Sequence, residues 1–540
     1  MENNFYPNPE TPAPEEPKRV FSAKLKTAAW ISLFAGFFAA RFFLANAAPL
    51  GSAILSVLIY ALTAVFIFSE GRAVKIKDVV IPTAATILSF GNIVTSVPAL
   101  RALILLVLFI LYVYWVFCAL GGSNEGFPGR LAFFELIKAV FVVSIPSMGT
   151  VWPALFSKRR EGTKSTFGWV LLGIAVALIP TAIIVSLLSY DSAFTELLGK
   201  LTSWNIFGYL ADNLTALFLG IPAAMFLFGL IYASQKGLRR DILSEETTLR
   251  VISSVRFAPA PLAAAAMTPA LLIYVLFFIS QKDNYVYALT GFKPNGINYA
   301  DFAREGFFEL CAVAAINAAI ILAVTLFMKR AKEKEPLLRI YSAVYSVFTL
   351  VLIATALAKM LLYIREYGLT RLRLLTSCFM VLLAVCFFAL LLAQFIRKLR
   401  LVGVIAAAAI LSLAAITLTD TDRLIGEYNV NAYLSGKHAD IDVSHFYELG
   451  HGAVPAAVRL WQSDKTDYAT KEEAEYFLEN AAWEFRFDAA NSTVFEEFFS
   501  VSIPRSRAKA ALEGAGFSTE PNPNEESYEP YVTYDSRFDS

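Results

Sequence analysis

Residues 362–373 read LYIREYGLTRLR and lie between two long apolar runs, one rich in Leu, Met and Ala and the other reading LLTSCFMVLLAVCFF. Gly368 suits the position just past a helix end, where a left-handed backbone is easiest for glycine. Thr370 suits an N-cap, its hydroxyl accepting a free N–H of the next helix. The stretch therefore predicts a tight hairpin between two helices at the edge of a membrane. Four charges, Arg365, Glu366, Arg371 and Arg373, fall within nine residues there. Arg371 and Arg373 occupy the first turn of the second helix, where the helix dipole disfavours cations by about 0.3–1 kcal/mol. An anion should offset that cost, either a bound ligand or an acidic patch of the C-terminal portion. The plainer alternative is lipid phosphate together with Glu366, the arginines snorkelling to the surface.

Working outward, the 540-residue chain is 57% hydrophobic and 17% charged, contains 45 Phe and has a mean hydropathy of +0.57. Its apolar residues come in runs of about 17–25, the length that crosses a hydrocarbon core of about 30 Å. Eleven spans are predicted, at 28–48, 52–69, 79–97, 102–120, 166–189, 213–233, 258–280, 306–328, 339–363, 373–396 and 401–419. The run 131–156 carries Glu135, Lys138 and Pro146 and is expected to be interfacial or re-entrant. Residues 1–27, rich in proline, are expected to be a disordered cytoplasmic tail, and 516–540 a disordered acidic one.

Charge selects an orientation. With the N-terminus in the cytoplasm, the inner loops of this arrangement hold 26 Lys and Arg and the outer loops 8. Treating 131–156 as a crossing would invert every later loop. The odd count then places residues 420–515, a small helical domain, on the extracytoplasmic side. Amphipathic helices are predicted there at 445–461, interrupted near Gly452 and Pro455, at 471–487, and after Pro504. The fold expected is all-α: a polytopic transmembrane bundle with that small C-terminal domain.

Three segments carry a resemblance. YADFAREGFFEL (299–310), LYIREYGLTRLR, and the pair EYNVNAYL (427–434) with FYELGHGAVPAAVRL (446–460) are similar to signature stretches of an uncharacterised bacterial family of multi-pass inner-membrane proteins, a domain of unknown function. The resemblance covers roughly residues 250–460. It implies a bacterial cytoplasmic membrane and no particular reaction.

Candidate functional residues follow from cost in lipid and from spacing. Asp301, Arg304 and Glu305 fall at i, i+3, i+4 and can pair locally, or join Arg371, Arg373 and Glu366 in one external anion site. Lys359 and Arg41 lie inside apolar runs towards the outer end, within reach of the surface. Asn92, Asn317 and Gln394 suit interhelical hydrogen bonds. Pro180, Pro222 and Pro269 fall mid-span, as in transporter helices. His445, His451 and Asp442, in HADIDVSHFYELGH, are weak candidates for metal ligands, because their spacing fits no standard motif. The Asp-x-Asp of TDTD (419–422) suits helix capping, with a divalent ion as the sharper reading.

Cys118, Cys311, Cys378 and Cys386 all sit in apolar runs, which predicts inert thiols rather than a disulfide framework. The net charge of +1 offers no handle for nucleic acid. No Walker A, G-x-S-x-G, H-E-x-x-H or C-x-x-C occurs. No catalytic residue and no cofactor is predicted. The leading expectation is a non-catalytic sensor, scaffold or envelope component, with a secondary transporter as the alternative. A lipid-linked transferase would want acidic residues in its first external loop, and ANAAPLGS (45–52) has none. The expected partners are the bilayer and an anionic lipid or envelope protein.

Overall fold

The computed structural model describes residues 21–43, 48–70, 76–122, 131–156, 206–238, 245–280, 282, 299–328, 335–396, 398–492 and 494–520. The predicted span 166–189, with Pro180, lies outside them, as do most of the two tails. Among the described residues the secondary structure is helical, apart from one isolated bridge between Ala258 and Met328. The protein is an all-α polytopic helix bundle.

The helices are α1 (Ala23–Phe43), α2 (Pro49–Ser69), α3 (Ile76–Ser89), α4 (Gly91–Val94), α5 (Pro98–Ala119), α6 (Ala132–Ile137), α7 (Val151–Phe156), α8 (Ile206–Lys236), α9 (Glu245–Ser254) and α10 (Ala260–Ser280). They continue as α11 (Tyr299–Phe327), α12 (Glu335–Tyr367), α13 (Arg371–Phe395) and α14 (Leu401–Thr417). The C-terminal set is α15 (Thr421–Leu434), α16 (His445–Leu449), α17 (Val454–Gln462), α18 (Tyr468–Asn491), α19 (Val494–Ser500) and α20 (Ile503–Ala515).

Among the described residues, six stretches are long and apolar enough to cross a membrane: 49–69, 98–119, 132–156, 213–236, 336–367 and 371–395. A seventh is possible if α14 and α15, bent by 59° at their junction, form one broken span. Shorter apolar helices cover 78–94, 264–280 and 311–327. The stretch 132–156 therefore has the length and composition of a span, whereas the sequence suggested an interfacial segment. Its helix changes character along its length, from α through a π-helical Lys138–Ser144 to a 3-10 turn at Ile145–Thr150, and back to α. Pro146 lacks the N–H that a regular ladder would use, which accounts for a break at that point.

The described chain divides into two compact units, one comprising residues within 1–41 and 143–236, the other within 42–142 and 237–540. In the first, α1 crosses α8 through small residues. A Cβ on Gly36 would lie 2.3 Å from the Gly220 carbonyl oxygen and 2.7 Å from the Ala224 nitrogen. Such backbone approach is how spans associate where lipid is as apolar as the side chains. Replacing Gly36 by Ala should cost about 1–3 kcal/mol, since backbone cannot move aside. Gly149→Ala, whose Cβ would meet nothing within 4 Å, should leave the melting temperature in detergent unchanged and serves as the control.

In the second unit, two groups of spans form around polar ties. Tyr60 donates to the Leu108 carbonyl at 2.7 Å, Thr63 and Tyr112 share a 3.0 Å hydrogen bond, and the Trp115 ring stacks on Tyr60. In α10–α13, Tyr274 donates to Asn317 Oδ1 at 2.6 Å and Asn317 Nδ2 donates to Thr349 at 2.8 Å. Asn317 is thus the interhelical tie expected of it. Gln394, by contrast, turns back to the Leu390 carbonyl of its own helix, because that acceptor lies one turn away. The outward faces stay apolar, with Val65 and Leu276 each 66% exposed, as lipid contact requires.

Residues 421–515 build a second core from Ile425, Val430, Phe446, Leu449, Leu460, Phe477, Leu478, Phe485 and Leu512. Leu369 of the hairpin is buried in that same core, with Ile364 and Leu374 packed against it. The C-terminal helices and the membrane hairpin are therefore one packed body.

Candidate docking site

The hairpin forms as its residue types dictate. Gly368 takes φ +79, and the Thr370 hydroxyl accepts from the Arg373 N–H at 3.3 Å. What the short turn presents is a set of backbone groups and two guanidinium groups, and α15 meets the Leu369 backbone and the Arg371 guanidinium.

Arg371 is held by Asp422. Its Nε donates to Asp422 Oδ1 at 3.0 Å and its second nitrogen reaches Oδ2 at 2.9 Å, a two-pronged pair. The Asp422 side chain is 0% exposed, and the Ser96 hydroxyl, from the turn before α5, donates to the same Oδ2. One carboxylate thus joins the α4–α5 turn, the α12–α13 hairpin and the first turn of α15. Asp422 also lies where the positive end of the α15 dipole favours an anion. Gly452 lets the chain before α17 close over it, since a Cβ there would lie 2.5 Å from Asp422 Cβ.

Arg373 is satisfied differently. It donates to the carbonyls of Tyr367 at 2.8 Å and Gly368 at 2.6 Å, and its guanidinium lies 4.0 Å from the centre of the Tyr363 ring. It therefore caps the C-terminal end of α12, where a cation is favoured, although it belongs to the N-terminal end of α13, where it is not.

The hairpin backbone is read as well. Asn429 of α15 accepts from the Leu369 N–H and donates to the Leu369 carbonyl, both at 2.8 Å. A Cβ on Gly368 would stand 2.8 Å from Asn429 Oδ1, so glycine is needed there for space as well as for φ. His438 Nε2 lies 2.9 Å from the Arg365 carbonyl and must carry the proton of that bond. Replacing Gly368 by Ala should loosen this contact by about 1–3 kcal/mol, measured as a lower melting temperature in detergent.

Asp420 does what the capping reading expects, accepting from the Arg423 N–H at 3.3 Å, and also holds Arg507 of α20 at 3.1 Å. Burial pushes its carboxyl up from the ordinary range, opposed by the Arg423 N–H and Arg507 and reinforced by Asp422. The two aspartates of TDTD thus hold two arginines, one from the membrane hairpin and one from the C-terminal helices.

The structure pairs Arg371 with Asp422 of the C-terminal domain, keeps Arg373 within the hairpin and leaves Glu366 exposed. Asp301, Arg304 and Glu305 lie in the first turns of α11, and their side chains fall outside the described residues. Lys359 is half-buried in α12, and Arg41 lies in the last turn of α1. The histidines do not converge. His445 Nδ1 is 3.4 Å from Glu448 and His451 Nε2 is 3.5 Å from Glu484, while Asp442 accepts from the Ser444 N–H. Among the described residues no three His, Cys, Asp or Glu side chains gather as a metal ion would need. The sequence reading missed Ser96, Asp422 and Asn429 as partners of the hairpin.

No curated protein and no solved structure matches the chain. A family profile, described as a domain of unknown function, DUF4153, matches residues 79–460. That range holds Ser96, the hairpin, Asp422, Asn429 and Gly452, and stops before α18. The chain is therefore a member of the DUF4153 family of domains of unknown function, and its docking site lies within the part that defines the family.

Proposed function

We propose that this integral membrane protein is a non-catalytic sensor or scaffold of a bacterial cytoplasmic membrane, with its C-terminal helical domain held on the extracytoplasmic face by the hairpin. The observation that carries the reading is the fully buried Asp422 carboxylate gripping Arg371. A carboxylate with both oxygens committed to its own chain is a joint rather than a vacant ligand site. Of the anions weighed, the acidic patch of the C-terminal portion fits the geometry of Arg371 best, whereas Arg373 is held by carbonyls and a ring of its own hairpin. The charge bias of the loops supports the sidedness, and the turns touched by the C-terminal domain, before α5 and between α12 and α13, are ones that this bias assigns to the outside.

The test has two arms. Lys437 is exposed on the turn above the hairpin, so Lys437→Cys should react with an impermeant maleimide in intact spheroplasts, and protection there refutes the sidedness. Parent and Arg371→Gln proteins should then be melted in detergent with anionic lipids and small anions. On the docking reading no anion stabilises the parent more than the variant, and one that does makes Arg371 part of a ligand site.

A further inference from the structure

The C-terminal domain has a second point of attachment, at the other end of its sequence. α19 packs against α2, a membrane-spanning helix. Beside that contact the Phe499 ring lies 4.9 Å from that of Phe42, near the end of α1. Phe42 in turn is fixed at the first turn of α2. Its carbonyl accepts from the Ser52 hydroxyl at 3.4 Å, and a Cβ on Gly51 would lie 2.9 Å from its ring. Phe499 therefore sits at the level where α2 enters the bilayer.

The residues around Phe499 turn apolar side chains away from the protein. In the segment FFSVSI (498–503), Phe498 is 57% exposed, Val501 41% and Ile503 36%, whereas Ser502 is buried. In a water-soluble domain this pattern would be inverted, with serine outside and Phe, Val and Ile inside. Glu497, next to Phe498 in the same short helix, is exposed as well. An aromatic and branched-chain edge with a carboxylate beside it, located at a span's end, has the composition of an interfacial segment.

We infer that Phe498, Val501 and Ile503 insert into the headgroup–acyl boundary of the bilayer, so that the C-terminal domain is anchored by lipid as well as by the Asp422–Arg371 joint. The occupant is lipid rather than a second protein because the surface continues directly from a contact with a spanning helix whose outward face is itself apolar. Ile54 and Leu58, in the first half of α2, are exposed apolar side chains of that helix, as is Val65 further along. The inference needs only the membrane around α2, and holds whichever side of it the domain occupies.

Photo-crosslinking on the full chain tests this. p-Benzoylphenylalanine replaces Phe498, Val501 or, as the control, Tyr468, which is 82% exposed at the start of α18. Each protein is reconstituted in vesicles of phosphatidylethanolamine and phosphatidylglycerol bearing an alkyne-tagged acyl chain, then illuminated. Lipid adduct at 498 and 501 should exceed that at 468 several-fold. Equal yields at all three positions, or adducts at 498 only to protein, overturn the inference. Because aromatic replacements at exposed positions preserve packing, failure to fold is not expected. Quenching of a Phe498→Trp variant by brominated lipid provides an independent reading, and no added quenching over the parent also overturns it.

Discussion

Arg371→Gln is expected to be among the most destabilising single substitutions in the C-terminal half of this protein, costing about 3–5 kcal/mol. The variant leaves Asp422, which has no exposure to water, with only the Ser96 hydroxyl to satisfy it. Asp422→Ala should cost a similar amount, since it strands a half-buried guanidinium and the Ser96 hydroxyl together. The informative comparison is the double variant Arg371→Met, Asp422→Leu, which removes both charges and keeps apolar volume. If the pair acts as a joint, the double variant loses less than the two single variants combined, by about 1–3 kcal/mol. Melting temperature in detergent reads the stability, and limited proteolysis of the 435–444 connection reads the release of the domain. Additive losses would mean that Asp422 and Arg371 act separately, and the docking reading would fall with them. Arg373→Gln is a useful contrast. It removes carbonyl capping and ring stacking and buries no orphaned charge, so its cost should be nearer 1 kcal/mol.

Hydropathy and helix-end chemistry carried much of this site, and stopped at a definite point. Run length and apolar composition mark the helices around the hairpin, because lipid demands them of any span. Gly368 and Thr370 mark the turn, since φ and capping are local. The dipole argument even states that Arg371 needs an anion. Which anion is a tertiary fact. Asp422 lies 51 residues further on, and Ser96 lies 326 residues before it. Periodicity cannot link positions so far apart. The reading of TDTD as a cap is satisfied by Asp420 alone, so nothing in the spacing calls for a second role from Asp422. Arg373 was misplaced for a related reason. Its sequence position belongs to α13, but its side chain is long enough to reach the end of α12. Glu135 and Lys138 look in sequence like the polar face of a surface helix, and that Tyr114 donates to Glu135 while Lys138 is buried is again a tertiary fact.

Acid should loosen the domain through His451, the residue beside the glycine that closes over Asp422. The imidazole packs edge-on against Phe485 at 5.0 Å, with Glu484 and Asp488 facing it from α18 and Arg505 from α20. Arg505 is itself committed to Asp488 at 2.7 Å. Burial first, and then Arg505, lower the His451 pKa from 6.5 to about 4, against the weaker pull of Asp488. The unfolded chain therefore binds the proton more readily, and stability present above pH 6.5 is lost as pH falls towards 4. The full shift corresponds to about 3 kcal/mol, an upper figure because a quarter of the side chain meets solvent. Glu484 acts in the opposite sense. Burial raises its pKa, so the folded protein takes up that proton more readily as pH falls. It is more than half exposed, so solvent screens its share and the histidine dominates. The parent should thus show a melting temperature that declines from pH 7 to pH 4, and His451→Gln, which cannot titrate, should show a flatter profile. Glu484→Gln, which removes the opposing proton uptake, should steepen it. A parallel decline in the parent and His451→Gln would assign the acid sensitivity to other groups; Asp420, whose carboxyl burial raises, opposes such a decline as Glu484 does.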